Sequence, residues 1–294
     1  MKPYAFQSAE GKALVGKVRA SEDLKATIDR VVAAIGGFGK VVTPGDSILL
    51  KPNLNTADPP PASSDPLFVK ALIELLYDHG AAKVLLGECS TITSSTRRVL
   101  DKTGMLELAR QAGAEILPFE QWVGTKVDGR YLKRVGFAKA VLEAPKIVYA
   151  TCLKTHHLAQ FTMSLKLAVA FMRPRERILL HLRHIGEKIA ELNTLVAPDL
   201  ILTDGRQCFI SGGPTAGECR EPGVVLASGD RIAIDVEGLR ILQTYPGGSL
   251  AGEDVWRLAQ IRRAVELGLG ARGPQHYAVV EAGAPTSTRD GNRD

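Results

Sequence analysis

The sequence predicts an α/β fold, with a mostly parallel or mixed sheet covered by helices on both faces and its strand-end loops forming one cleft. Two observations carry this. Short runs of four to six almost wholly apolar residues recur along the chain, each bounded by Gly, Pro, Asp or Ser. Such runs suit strands buried on both faces of a parallel sheet. Between them lie stretches with apolar residues at helical spacing, so strand and helix alternate.

Taken in order, Ser21 is expected to cap a helix through about Ile35, with Leu24, Ile28, Val31, Val32 and Ile35 on one face and Gly36-Gly37 ending it. Ser47–Leu50 is the first apolar run. Thr56 to Ser64, with three consecutive prolines, reads as a loop. Asp65-Pro66 supplies an N-cap and a first helical residue for a helix to Gly80, with Val69, Leu72, Ile73 and Leu76 inward. Lys83–Gly87, Lys146–Ala150, Leu200–Leu202, Val224–Ala227 and Tyr277–Val280 are further strands. One helix is expected from about Arg175 to Val196, its stripe running Ile178, Leu182, Ile185, Ile189, Leu192, Val196. Others follow Asp230, which reads equally as a cleft residue and as the N-cap of the helix it opens, and Gly252. Residues 1–281 read as one α/β domain and 282–294 as a flexible tail.

Composition narrows the function classes. The chain has 294 residues, a net charge of +5 and 45% hydrophobic residues, an ordinary globular balance. A chain of this size buries roughly 75% of its unfolded surface. Aromatics are 5% and do not interleave with Lys or Arg, which argues against nucleic-acid binding. No apolar run approaches the ~20 residues of a membrane span, and the start has no apolar signal core. The four cysteines form no Cys-x-x-Cys pair, so the expected compartment is the reducing cytoplasm.

The polar residues that follow the strands are the candidate site. Ligands of parallel sheets bind at the carboxyl ends of the strands. Lys51, Asn53, Glu88, Lys154, His156, Asp204 and Asp230 all follow apolar runs. Lys154 and His156, two apart in an extended segment, point the same way, with His157 pointing away. A lysine in a dry cleft loses basicity, and histidine titrates near neutrality, so the two suit acid–base work. Glu88 and Asp204 are read as catalytic partners, metal ligands or ion-pair partners of the lysines. Lys51, Asn53, Lys166 and Arg173 are read as binders of an anion, and the run Arg173, Arg175 and Arg177 around Pro174 and Glu176 reads either as guanidinium forks for an anion or as a solvated basic loop. Asp235, inside a helix, reads as a buried structural hydrogen-bonding group. His181 and His184 share one face of the expected long helix. Gly212-Gly213-Pro214 shapes a turn. The four cysteines, Cys89, Cys152, Cys208 and Cys219, are expected in loops facing the cleft; with Glu88 and His156, Cys89 and Cys152 are the metal-ligand candidates.

These positions also carry a resemblance. The segments Gly45-Asp46-Ser47-Ile48-Leu49-Leu50-Lys51-Pro52-Asn53, Ser64-Asp65-Pro66, Gly80 to Glu88, Leu153-Lys154-Thr155-His156, Ser164-Leu165-Lys166, Pro198 to Gly205, Gly212-Gly213-Pro214 and Ser228 to Asp235, with His181, resemble the domain-of-unknown-function 362 family in order and spacing. Some relatives carry Cys-rich cluster motifs of ferredoxin type, which this chain lacks. Where the family commonly has Lys-Asn, this chain has Lys166-Leu167, and Ala170-Phe171-Met172 replaces a Gly-containing turn. A looser likeness of strand-end Lys/His motifs is to nickel-pincer lactate racemases. The expected function is an enzyme acting on a small anionic carboxylate or phosphate by Lys/His proton transfer, isomerase- or lyase-like. The alternatives are a metal or iron–sulfur redox protein and a non-catalytic anion-binding protein. The cofactor is left open between a divalent metal and none. The expected partner is a small anionic molecule, and the sequence allows a homo-oligomer.

Overall fold

A computed structural model describes residues 5–282. The chain opens with β1 (Ala13–Arg19) and α1 (Leu24–Ala33). β1 has no counterpart among the expected strands, because Gly16 and Lys17 interrupt its apolar run. Gly16 is required by packing: a Cβ there would lie 2.5 Å from the Val31 carbonyl oxygen of α1. The cap of α1 is Asp23, whose carboxylate accepts from Ala26 N. This corrects the expectation of Ser21, whose hydroxyl instead donates to Asp23 O.

β2 (Ser47–Pro52), α2 (Pro66–Asp78) and β3 (Lys83–Glu88) follow as expected, with Asp65 capping α2 and Pro66 in its first turn. α3 (Thr96–Lys102), α4 (Met105–Gln111) and β4 (Glu115–Pro118) complete the edge. β5 (Trp122–Lys126) and β6 (Arg134–Ala138) form a separate two-stranded sheet, followed by α5 (Lys139–Glu143).

β7 (Lys146–His156) is longer than the apolar run that marks it, so Thr151 to His156 is strand rather than loop. β8 (Gln160–Thr162) turns back along it, and α6 (Ser164–Leu167) follows. The long helix expected from Arg175 to Val196 is two helices, α7 (Pro174–Leu180) and α8 (Ile185–Leu192). The break lies at His184, which is left-handed at φ 53° and stacks on Tyr131 at 4.4 Å. His181 ends α7 and His184 precedes α8, so they do not share a helical face. A periodic stripe cannot register such a break, and Ile178 and Leu182 are exposed, not inward.

β9 (Leu200–Gly212), β10 (Gly217–Arg220) and β11 (Val224–Ser228) lead to α9 (Arg231–Gln243), α10 (Ala259–Glu266) and β12 (Tyr277–Ala282). The expected tail at 282–294 lies outside the described residues, except for Ala282, which closes β12.

The main sheet has ten strands in the order β12-β1-β11-β9-β7-β2-β3-β4, with β10 on β9 and β8 on β7. From β9 to β4 every neighbour is parallel, whereas β11 is antiparallel to both β9 and β1. Helices cover both faces. Along β2, Ile48 and Leu50 enter one apolar core with α1 and α2, while Leu49 enters the other with α6, α8 and α9. Burial on both sides is why the strands read as unbroken apolar runs.

The reversed strand moves one expected site residue. Asp230 follows β11 and therefore leaves the sheet at the end opposite the other motifs. It caps α9, accepting from Ile232 N and Ala233 N at 2.8 and 2.9 Å, and also accepts from Ala271 N.

Candidate anion site at the strand ends

The carboxyl ends of β2, β3 and β7, with α6 and α7, enclose a cavity of ≈ 340 Å³. Lys51, Asn53, Glu88, Lys154, His156, Lys166 and Arg177 line it. The structure thus brings together six of the eight expected catalytic and binding residues, all but Asp204 and Arg173.

Lys51 and Glu88 form a buried ion pair of 2.7 Å. Lys51 Nζ also donates to Pro52 O at 2.6 Å. Glu88 accepts three hydrogen bonds: Oε2 from Lys51 and Leu54 N, Oε1 from Cys89 N. The ion-pair reading of Glu88 describes its contacts. Burial pulls the Lys51 ammonium below its usual range, against the attraction of Glu88.

Lys154 points into the cavity from β7 and donates to Ala62 O of the proline-rich loop. That loop is stitched to the strand ends: Ser64 Oγ accepts from Asn53 N at 2.8 Å and donates to Ala150 O at 3.1 Å. Burial lowers the basicity of Lys154. Lys166 stands on α6 and makes no ion pair or hydrogen bond through its ammonium within the described residues. Burial first, then the charges of Lys154 and Arg177, push it down to about 7.

α6 has only four residues and is held from outside. Asp235 of α9 accepts from Ser164 N and Leu165 N at 2.9 and 3.0 Å, the structural role expected of it. Asn193 donates to Leu165 O at 2.8 Å and is itself braced by Arg231.

His156 is fixed in one tautomer. The amides of Leu158 and Ala159 donate to its Nδ1 at 3.1 and 3.2 Å, so the ring proton sits on Nε2. Burial, then Lys166 and the neighbouring histidines, push it down to about 2. His156 is therefore a neutral hydrogen-bond donor at ordinary pH, not a base. His157 does not point away: it stacks on His156 at 5.0 Å, lines the cavity and donates from Nδ1 to Gly213 O. Gly213 has φ 68°, and a Cβ on it would lie 2.0 Å from Thr155 O, so this turn needs glycine to close over β7. Its N–H is spent within the turn on Ala216 O.

Of the buried polar atoms without a hydrogen-bond partner among the described residues, two, Asn53 Nδ2 and Thr162 Oγ1, belong to residues that line the cavity. An orphaned buried group of this kind is completed by a ligand or water. Arg177, grouped in the sequence only with a basic run, is buried and donates solely to carbonyls, those of Met172, Cys89, Ser90 and Ala170. Its charge is left uncompensated beside the cavity. Thr162 carries no sequence signal and is put there by the hairpin β7–β8, while Arg177, one of the arginine run, is put there by the α7 turn.

Asp204 lies within β9, not after it, and faces a neighbouring pocket with Asp65, Cys152 and Arg206. Arg206 bridges it to Asp65, with contacts of 2.7 and 2.5 Å. The apolar run stops at Leu202 while the strand continues, which is why the spacing misplaces Asp204. Arg173 lies on the surface by Glu176 and Gly136, away from the cavity.

The metal-ligand candidates do not converge. Among the described residues no group of three or more His, Cys, Asp or Glu could hold one ion. Cys152 lies on β7 and Cys208 on β9, Cys219 is exposed on β10, and none of the four cysteines lines the main cavity. Among the described residues no helix is long and apolar enough to cross a membrane.

Comparisons with known proteins agree with this architecture. The chain is 29% identical over 272 residues to the thylakoid-associated protein sll1697 of Synechocystis sp., covering 87% of this chain and 81% of that one. It is similar in structure to the lactate racemase apoprotein of Thermoanaerobacterium thermosaccharolyticum, with a TM-score of 0.52 at 10% identity over 82% of this chain. It spans 59% of that racemase chain, so the likeness is one of fold. The family model described as domain of unknown function (DUF362) matches residues 48–240, from β2 into α9, and by this match over more than half its length the chain belongs to that family.

Proposed function

We propose that the cavity binds a small carboxylate or phosphate and moves a proton on it, in an isomerase- or lyase-like reaction. One observation carries the reading. Lys154, Lys166 and Arg177 bring positive charge to a cavity whose only lining carboxylate among the described residues, Glu88, already pairs with Lys51, while the charge of Asp58 acts on Lys154 and not on Lys166. An anion supplies the missing charge. Lys166, free of partners, takes the proton as an amine and returns it as an ammonium. Lys154 holds the anion and is the second proton carrier. His156 Nε2, Asn53 Nδ2 and Thr162 Oγ1 orient it. The racemase likeness is compatible with isomerase chemistry through the fold alone. The buried free thiols of Cys89, Cys152 and Cys208 fit a reducing compartment such as cytoplasm.

The test is a panel of small 2-hydroxy, 2-amino and dicarboxylic acids and phosphate esters incubated with the protein in D2O. The reading expects loss of a carbon-bound proton signal by NMR for at least one compound, and loss of that exchange in Lys166→Ala. Thermal stabilisation by an anion without any exchange would favour the non-catalytic alternative, which the neutral, non-basic His156 makes a specific rival. No stabilisation and no exchange would remove both.

A further inference from the structure

The cavity changes character from floor to mouth. Its floor is cationic and hydrogen-bonding, built from Lys51, Lys154, Lys166, His156 and Asn53. Its mouth carries three large apolar side chains beside the exposed Asn55, His157 and His181. Ile92, Leu158 and Ile178 line it and are 54%, 52% and 53% exposed. They come from three separate places: the loop after β3, the β7–β8 turn and α7. Leu179 and Leu182 in the same segment are also exposed, 61% and 70%. One exposed leucine on a surface means nothing. Three large apolar side chains converging on the mouth of one charged cavity form a patch of the kind that marks a binding surface. Leu167 and Val169 extend apolar lining inward, joining the mouth to the floor. A site for a small, fully hydrophilic ion would gain nothing from this rim, and the cavity is much larger than a single oxyanion.

We propose that the ligand of this site is amphiphilic: a carboxylate or phosphate head on the lysine floor, with an unbranched or weakly branched hydrocarbon chain leaving between Ile92, Leu158 and Ile178. This rests on the anion reading above and specifies it. The head is set by charge, since Lys166 has no ion-pair partner among the described residues and lies beside the charges of Lys154 and Arg177. The chain is set by the rim, where each methylene covered removes apolar area from water on both partners. Burial of one methylene corresponds to roughly a fourfold gain in affinity.

The experiment is calorimetric titration of the full chain with two series, alkyl carboxylates from acetate to decanoate and alkyl phosphates from ethyl to decyl. All are kept below their micelle concentrations, with octanol as a neutral control. The expected result is affinity that climbs severalfold per added methylene over at least part of one series, with octanol far weaker than its charged counterpart. In Ile178→Ser/Leu158→Ser the ratio of long-chain to short-chain affinity is expected to fall at least tenfold. Equal affinity for short and long chains would overturn the amphiphile while leaving the anion reading intact. Octanol binding as well as octanoate, or a chain-length ratio unchanged in the double variant, would likewise overturn it. No binding by any member of either series would overturn the anion reading itself.

Discussion

Lys166 is the residue on which the site turns. Its folded pKa of about 7 lies below the usual lysine value of 10.5, chiefly through burial. Between those values the unfolded chain binds the extra proton, so stability should rise with pH from about 7 to 10.5. Below pH 7 both states are charged and the folded state carries the whole cost. Lys166→Met should therefore be more stable than wild type at pH 6, by roughly 1–4 kcal/mol. That gain should fade towards pH 10, as thermal melts across the range would show. A gain independent of pH would assign it to packing instead. His156 acts in a separate window. With a folded pKa of about 2 against 6.5, its contribution is complete above pH 6.5 and lost as pH falls towards 2. His156→Asn, which keeps an acceptor for the Leu158 and Ala159 amides, should flatten the acid limb of denaturant-melt stability between pH 6.5 and 4. An unchanged acid limb would show that other groups set it. At this scale the residue types in the sequence were informative: lysine and histidine at strand ends do meet in one cavity. Tautomer was not legible, because His156 Nδ1 is claimed by amides whose positions depend on the β7–β8 turn.

Elements decide which candidates reach the cavity. Apolar runs marked where β7 and β9 begin but not where they end, since both strands continue through polar residues. That extension carries Lys154 and His156 to the cavity and keeps Asp204 on β9, tied to Arg206. Helix caps were legible where Asp precedes Pro or opens a buried turn, as at Asp65 and Asp230. α6 was not, because four residues have no periodicity to read and little stability of their own. Its order is imposed by Asp235 and Asn193. Asp235→Ala should orphan the Ser164 and Leu165 amides and cost about 1–3 kcal/mol. It should also weaken anion binding through misplacement of Lys166, a combination that denaturant melts and a phosphate or carboxylate titration would read together. A loss of stability with ligand affinity unchanged would mean that α6 is positioned by its other contacts.

The whole molecule is a sheet whose parallel half builds the site and whose reversed β11 hands the chain to the opposite end. Alternation of strand and helix was enough to read the class of fold and the burial of both faces. The direction of β11 was not readable, since an apolar run has no polarity, and Asp230 was misplaced with it. The β5–β6 turn is tied to α8 and α10 at Glu191 of α8. This fully buried carboxylate accepts from the amides of Arg130, Tyr131 and Leu132 in the β5–β6 turn and pairs with Arg263 of α10 at 2.8 Å. Glu191→Ala should cost about 3–5 kcal/mol by leaving those donors and the arginine without their partner. Melts would test this, and a loss below 1 kcal/mol would contradict this tie.

The central claim is that a lysine poised near neutrality faces an anion cavity. It is tested most directly by titrating the ε-ammonium of Lys166 by NMR in lysine-labelled protein, with Lys166→Arg assigning the resonance. The account predicts a midpoint near 7 that rises when phosphate or a carboxylate binds. A midpoint near 10.5, unmoved by any anion, would contradict it.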